Sequence, residues 1–409
     1  MTYIYKYHIF VTSNTSNCNR YIYIYQLGIY TCIMLKTNKI IYSVLLISII
    51  CIGFLVFSKH SSGTPVVIGG IFPLSGQTAS YGVYLKQGSE LALDDAIGAG
   101  LIKNGDVSLV MEDSAGDPAK GVAAFQKMVN INNVVAVIPA LSGVTLAVKP
   151  IGNEKHIAMI NGSAISTSIE DADDYMFSIL PNADTEGAFL AELAYKQGKR
   201  TMGILYRNDS SGVSFDAVFK KRFTELGGHI VYEDSHVPYA TDFRAYATKI
   251  GHIKGIDGVF VASYGPEVAT YLKQSNELSV HVQVYAYTTA YSPKVLEIAG
   301  PAAEGLTFSA PSFDVNDSNN TIVQEFKDKI FKKYGSTDNN YYIASHYDAM
   351  MILIAAISNG NKTGDQIRNY VANLKTYKGK TGLITFDKNG LGSVPLNAYV
   401  VKNGSFEKI

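Results

Sequence analysis

The chain has 409 residues, 47% of them hydrophobic and 17% charged, with 35 Lys+Arg set against 35 Asp+Glu. That length provides for two folded domains once any membrane segment is set aside. A net charge of zero supplies no field to draw it to nucleic acid or to an acidic surface, so the partner expected is a small molecule or another protein.

Residues 1–39 read as an N-terminal tail. Within it Tyr21-Ile-Tyr-Ile-Tyr25 alternates as a strand does, with no neighbouring element for it to pair with, and Met34-Leu-Lys-Thr-Asn-Lys39 has the form of the basic start of an export signal. Translation is therefore expected to begin at Met34; a short cytoplasmic tail is the other reading. Ile40–Phe57 is uncharged throughout and about as long as the ~18 residues at which a transmembrane helix is expected. Lys36 and Lys39 precede it, Lys59 follows, and no Ala-x-Ala cleavage site comes after Phe57. Cys51 has Ile50 where lipidation wants a small residue, so an uncleaved membrane anchor is expected. Cys18, Cys32 and Cys51 are the three cysteines, and disulfides contribute nothing to the chain beyond the anchor.

A short polar linker, residues 58–65, leads into a strand-loop-helix unit. The apolar run Val66–Ile71 suits a buried parallel strand, Pro73 and Gly76 end it, and a Ser/Gly/Thr loop feeds a helix over Val83–Ala96. The N-terminus of such a helix presents unpaired N–H groups, placing Ser75, Thr78 and Ser80 where a small polar or anionic ligand can be held. Strands are then expected at 107–111, 134–139 and 157–160, with helices at 118–130 and 142–151 between them. The alternation repeats with helices at 185–197, 213–226, 243–250 and 266–277 and strands at 201–206, 229–233, 258–262 and 280–285. A long apolar helix at 340–359, a shorter one at 366–374, and strands at 382–386 and 398–402 complete the chain. Repeated βαβ units imply parallel sheets covered by helices on both faces, and two such sets imply two α/β lobes. In such sheets polar loops gather where strand C-termini meet helix N-termini. The junctions 75–82, 140–143, 161–166, 208–212 and 263–266 would therefore converge on a cleft.

Other chemistries lack their residues. Gly69-Gly-Ile-Phe-Pro-Leu-Ser-Gly76 has neither the lysine of a P-loop nor dinucleotide spacing. His229, His236, His252, His281 and His346 stand at no metal-ligand spacing, and no Gly-x-Ser-x-Gly elbow is present. The expectation is no cofactor, no metal and no enzyme activity.

The ordered motifs Pro73-Leu-Ser-Gly-Gln-Thr-Ala-Ser-Tyr-Gly82, Glu112-Asp-Ser-Ala-Gly-Asp-Pro118, Ser142-Gly-Val-Thr-Leu-Ala-Val-Lys-Pro150, Leu226-Gly-Gly228, Thr241-Asp-Phe243, Tyr347-Asp-Ala349 and Lys378-Gly-Lys-Thr-Gly-Leu-Ile-Thr-Phe-Asp387 carry a resemblance. From Val66 to nearly its end the chain resembles the type I periplasmic binding proteins of the branched-chain amino acid transport family. The resemblance implies an α/β fold of two Rossmann-like lobes with a hinge and a ligand cleft between them. Residues 66–183 and 313–392 would form the first lobe, and 184–312 and 393–409 the second.

The same resemblance makes Ser142 a hydroxyl donor to a ligand carboxylate, places Ser163 and Ala164 in the loop facing it, makes Tyr264 an aromatic contact from the second lobe, and stands Tyr81 at the cleft mouth. Each has a plainer structural alternative: Ser142 as a helix cap, Tyr264 as packing against its own helix, Tyr81 as a surface aromatic. Asp113 and Asp117 read first as turn and cap residues, and Asp209 is either a ligand contact or part of an ordinary turn. The chain departs from the family's pattern at Ile165, where a threonine is usual, at Ser211, where a tyrosine is frequent, and at Thr288, where an acidic residue would face the ligand's ammonium group. An ammonium buried without a counter-charge is costly. Either Asp209 or another carboxylate substitutes, or the ligand is a small amide, a carboxylate or another polar metabolite rather than a free amino acid, and the expectation leans to the second. The function implied is that of an extracytoplasmic solute-binding subunit of an ABC importer, held at the membrane by its N-terminal helix and delivering its solute to the permease. A sensor ectodomain or an amide-responsive regulator of the same fold is the alternative.

Overall fold

The structure, a computed structural model, describes residues 9–13, 20–26, 29–35 and 64–409, apart from 170, 172, 312, 314–319 and 336–339. The chain divides into two units, Met1–Gly63 and Thr64–Ile409. In the first, β1 (Ile9–Ser13), β2 (Arg20–Gln26) and β3 (Ile29–Leu35) form an antiparallel meander. Tyr21 stands opposite Thr12 on one side and Met34 on the other. This corrects the expectation that Tyr21–Tyr25 has nothing to pair with: both flanking segments are rich in the β-branched and aromatic residues that favour strands. The expected membrane segment Ile40–Phe57 lies outside the described residues, as do residues 58–63 of the linker. Among the described residues no helix is long and apolar enough to cross a membrane.

Among its described residues the second unit holds two large sheets and one small one. The first is wholly parallel: β4 (Val66–Phe72), β5 (Val107–Asp113), β6 (Ala136–Pro139), β7 (Ala158–Asn161) and β8 (Met176–Ser178), in the order β5-β4-β6-β7-β8. Helices α1 (Ala79–Gly98), α2 (Pro118–Asn130) and α3 (Ser142–Glu154) connect its first four strands. The β6 burial is complete and apolar residues dominate β4, as strands covered on both faces require.

The chain then crosses through α4 (Ala183–Lys196) to the second sheet. There β9 (Thr201–Arg207), β10 (His229–His236), β11 (Gly258–Ala262), β12 (Gln283–Ala286) and β13 (Thr307–Pro311) alternate with α5 (Ser210–Glu225), α6 (Arg244–Gly251), α7 (Gly265–Glu277) and α8 (Pro293–Ala299). After β13 the chain returns with α9 (Thr321–Tyr334), α10 (Asn340–Ser358) and α11 (Gly364–Ala372). A small antiparallel sheet of β14 (Thr376–Lys378), β15 (Leu383–Phe386) and β16 (Gly392–Ser393) follows. A third crossing leads to β17 (Leu396–Lys402) and β18 (Ser405–Lys408), which extend the second sheet beyond β13 as antiparallel strands.

Each of the two large sheets has a buried cluster on either face. The largest includes α1 and α10, whose close approach depends on Gly88: a Cβ there would lie 2.2 Å from the Ile343 carbonyl oxygen. The α9 helix, absent from the sequence expectation, is amphipathic, with Val323, Phe326 and Ile330 buried at helical spacing.

Asp348 ties α10 to the small sheet. Its carboxylate is fully buried and accepts hydrogen bonds from the Lys380 and Thr381 amides at 2.7 and 2.8 Å and from the Thr381 hydroxyl at 2.7 Å. Burial nevertheless raises its pKa to about 6, against the lowering by those donors. Removing an acceptor that three buried donors share leaves them unpaired. Asp348→Ala is expected to lower stability by roughly 3 kcal/mol in chemical denaturation, and Asp348→Asn, which keeps one oxygen, by less.

Candidate functional site

Strand C-termini of both sheets face one crevice. Within it a cavity of about 20 Å³ is lined from the first lobe by Tyr81, Leu141, Ser142, Ser163 and Ile165, and from the second by Tyr264 and Thr289, with Tyr342 of α10 closing one wall. The two lobes touch here, with the hydroxyl oxygens of Ser166 and Ser214 3.2 Å apart.

Ser142 is the first residue of α3. Leu141 before it has φ 66° and ψ 137°, a conformation that a branched side chain resists at a cost of about 1–3 kcal/mol. The turn aims the Ser142 hydroxyl at the neighbouring loop of the same lobe rather than onto its own helix: Oγ accepts the Ile165 amide at 3.1 Å and the Ser166 amide at 3.2 Å. A hydroxyl has two lone pairs and one hydrogen. Both lone pairs are occupied, so what Ser142 retains is a donor.

The next loop is organised by Asn161. Its Oδ1 accepts the Ser163 amide at 3.0 Å and the Ala164 amide at 2.7 Å, while Nδ2 donates to the Ala164 carbonyl at 2.7 Å and to Ser178 Oγ at 2.8 Å. The amides of Ser163 and Ala164 are thus taken within the loop, and Ala164 is buried behind it. Among the described residues the Ser163 hydroxyl has no partner, and Ser163 borders the cavity.

Three aromatic rings form the lid. Tyr81 lies 5.9 Å from Tyr264 and 5.5 Å from Tyr342, centroid to centroid. Tyr264 precedes α7 and has the Arg207 guanidinium 4.4 Å from its ring centre, with Tyr239 at 4.3 Å from the same group. Arg207 in turn pairs with Asp209 and, at 2.7 Å, with Glu267, whose other oxygen accepts the Tyr264 amide at 3.2 Å. Beyond the rings a chamber of about 180 Å³ opens at the cleft mouth, bordered by Thr78, Arg207, Tyr239 and Glu267.

Asp209 does not border the inner cavity. Besides Arg207 it accepts from the Ser211 and Gly212 amides at 3.1 and 3.0 Å and from the Ser211 hydroxyl at 2.7 Å, so its carboxylate is committed to capping α5. Thr288 likewise does not border that cavity; its neighbour Thr289 does. The Thr288 amide and hydroxyl both donate to Oε1 of Glu186, the amide at 2.8 Å, and Ser309 Oγ donates to the same oxygen at 2.6 Å. Burial pushes the Glu186 carboxyl up to about 7, against the lowering by these donors. The sequence does not single out Glu186, because an acid in the first turn of a helix reads as dipole compensation.

Among the described residues no group of three or more His, Cys, Asp or Glu side chains could hold a metal ion. A serine and a histidine do meet, Ser263 Oγ and His236 Nε2 at 2.5 Å, with Ser263 0% exposed. Among the described residues, what borders the cavity is hydroxyls, rings and apolar side chains.

Residues 65–405 match the family described as periplasmic binding protein. Leu/Ile/Val-binding protein homolog 2 of Brucella abortus is 25% identical over 359 residues, covering 86% of this chain and 94% of the relative. The branched-chain amino acid transporter substrate binding protein of Streptococcus pneumoniae, solved in complex with isoleucine, superposes with a TM-score of 0.76 at 22% identity, covering 84% of this chain and 99% of that one. A solute binding protein of an ABC transporter from R. palustris, solved with benzoate, also gives 0.76, at 19% identity, covering 84% and 95%. At these identities the two structures show the fold alone. The chain belongs to the periplasmic binding protein family, and its two lobes are that family's type I form.

Proposed function

We propose that this chain is the extracytoplasmic solute-capture subunit of an ABC importer, closing its lobes over a small carboxylate-bearing metabolite, an amino acid or a relative of one, and presenting it to a permease. The observation that carries the reading is the pair of hydroxyls on the first lobe: among the described residues Ser142 has both lone pairs filled and no acceptor for its hydrogen, and Ser163, on the same cavity wall, has no partner. Two hydroxyl donors side by side suit a carboxylate. The names of the relatives agree in kind, since isoleucine, leucine, valine and benzoate all carry that group.

A cavity of about 20 Å³ holds about one water, so a solute of amino-acid size enters only when the lobes or the Tyr81–Tyr264 pair move apart. Residues 66–183 with 313–392 and residues 184–312 with 393–409 would move as the two bodies, and the three crossings would be the hinge. The solute meets the first lobe's hydroxyls, and the second lobe then brings Tyr264 and Thr289 over it. Ile40–Phe57 supplies the membrane anchor in this reading, uncleaved, with the solute-binding unit on the outer side.

Mass spectrometry of small molecules released on denaturing gently purified protein is the direct test: a carboxylate in stoichiometric amount is expected, and failure of the protein to release or bind any carboxylate would sink the proposal. Ser163→Ala separates binding from folding. It removes a buried hydroxyl with no partner, so the ligand-free protein should melt at the same temperature or higher, while affinity for the released solute drops roughly tenfold. Tyr264→Ala should weaken binding by about 1–3 kcal/mol in titration calorimetry.

A further inference from the structure

The second lobe has a cavity that the solute cleft does not use. It measures about 340 Å³, more than either cavity of the cleft, and opens where α7 ends and β12 and β13 begin. The cleft lies at the other ends of the same elements: Tyr264 precedes α7, and Thr289 follows β12. The length of α7 alone, at 1.5 Å per residue, sets the two about 20 Å apart. A volume of this size falls within the ~300–1,000 Å³ of ordinary small-molecule pockets.

The lining is apolar on one side and rich in acceptors on the other. Leu272, Val284, Leu306 and Ser275 are buried in it, Val280, Val282 and Ala302 are half-buried, and Asn276, His281 and Glu304 are exposed. No lysine or arginine borders it. Glu304 Oε1 accepts the Asn403 amide at 3.1 Å, and its Oε2 lies 3.5 Å from the Gly404 amide, which fixes the carboxylate over the β17–β18 turn without a counter-charge. Lys402, on that hairpin, is held by Glu407 at 3.2 Å. Ser275 and Asn276 belong to the last turn of α7, the negative end of its dipole, and that turn carries no basic residue. Gln283 commits Nε2 to the Gly305 carbonyl at 2.7 Å and the Val284 carbonyl at 3.1 Å, so what it has left to offer is its own carbonyl oxygen.

The geometry points to a second ligand site in this cavity, for a small organic cation: a primary ammonium group on an alkyl or benzyl body of roughly seven to ten heavy atoms. The ammonium meets Glu304, the Gln283 oxygen and the C-terminal end of α7, and the body lies on Leu272, Val282 and Leu306. An exposed ion pair is weak by itself, so the apolar wall supplies most of the affinity and the charge supplies the selectivity. The same charge disfavours a carboxylate, the group that the first lobe's hydroxyls suit. The site is independent of solute capture and does not rest on it.

The test uses the full-length chain with hexylammonium and benzylammonium as probes and 1-hexanol, benzyl alcohol and hexanoate as their neutral and anionic counterparts. For ligands of this size at least one ammonium probe should bind with a dissociation constant of about 1 mM or below, at least about fivefold tighter than its alcohol, and hexanoate more weakly still. Amide hydrogen exchange should slow on binding at residues 275–284 and 301–306. Glu304→Gln should remove most of the preference for ammonium over alcohol while leaving the alcohol's affinity within about twofold. Ala302→Phe, which fills the half-buried wall, should weaken both probes, and Ser163→Ala, in the cleft, neither. Failure of both ammonium probes to bind would overturn the site, as would protection of the cleft loops in place of these segments. Equal affinity for ammonium and alcohol, or a preference that survives Glu304→Gln, would overturn the assignment of a cation. Should the variants not fold, exchange and the probe comparison on the wild-type protein decide alone.

Discussion

A buried hydrogen-bonding group must find a partner, and in a crevice where many strand ends converge the partners the chain finds within itself determine what remains for anything else. Asn161 satisfies two amides, one carbonyl and one hydroxyl with a single side chain. Ser142 takes two amides from the same loop, and Asp209 caps a helix while neutralising Arg207. After this internal pairing the remainder at the cavity is small: the donor hydrogen of Ser142 and the hydroxyl of Ser163, both on the first lobe.

The aromatic lid is preorganised by the same logic. Arg207 is buried between two tyrosines and held by two carboxylates, and one of those carboxylates also fixes the backbone of Tyr264. A ring immobilised before the solute arrives loses little rotamer freedom on binding, so more of its contact energy appears as affinity. Tyr81 is positioned by ring contacts with Tyr264 and Tyr342 and by a hydrogen bond from the Gly265 backbone to its phenol oxygen. It borders both the inner cavity and the outer chamber.

The alternation of short apolar strands with helices is legible in the sequence because it depends on local periodicity, and the observed bounds of β9, β11, α3 and α7 follow it to within a few residues. What local pattern does not carry is pairing between distant segments. β13 reads as an indifferent Thr-Phe-Ser-Ala-Pro run and becomes a strand because β17, some ninety residues later, lies antiparallel to it. The candidate site shows the same division. Ser142, Ser163, Tyr81 and Tyr264 stand at strand-to-helix junctions and are brought to one cavity. Asp209 and Thr288 look free in sequence and are engaged in the fold. Glu186, which engages Thr288, is separated from it by 102 positions, and Ser309 by 123, so nothing short of the tertiary arrangement could join them.

These separations bear on how closure works. Glu186 belongs to the first crossing between the sheets, and Ser309 lies on the strand that precedes the second, so one carboxylate is bonded to two of the three connections about which the lobes would turn. A ligand shifts a conformational equilibrium only by its difference in affinity for the two states. In the proposed reading that difference would come from Tyr264 and Thr289, which border the cavity opposite Ser142 and Ser163 and would meet the solute only on closure.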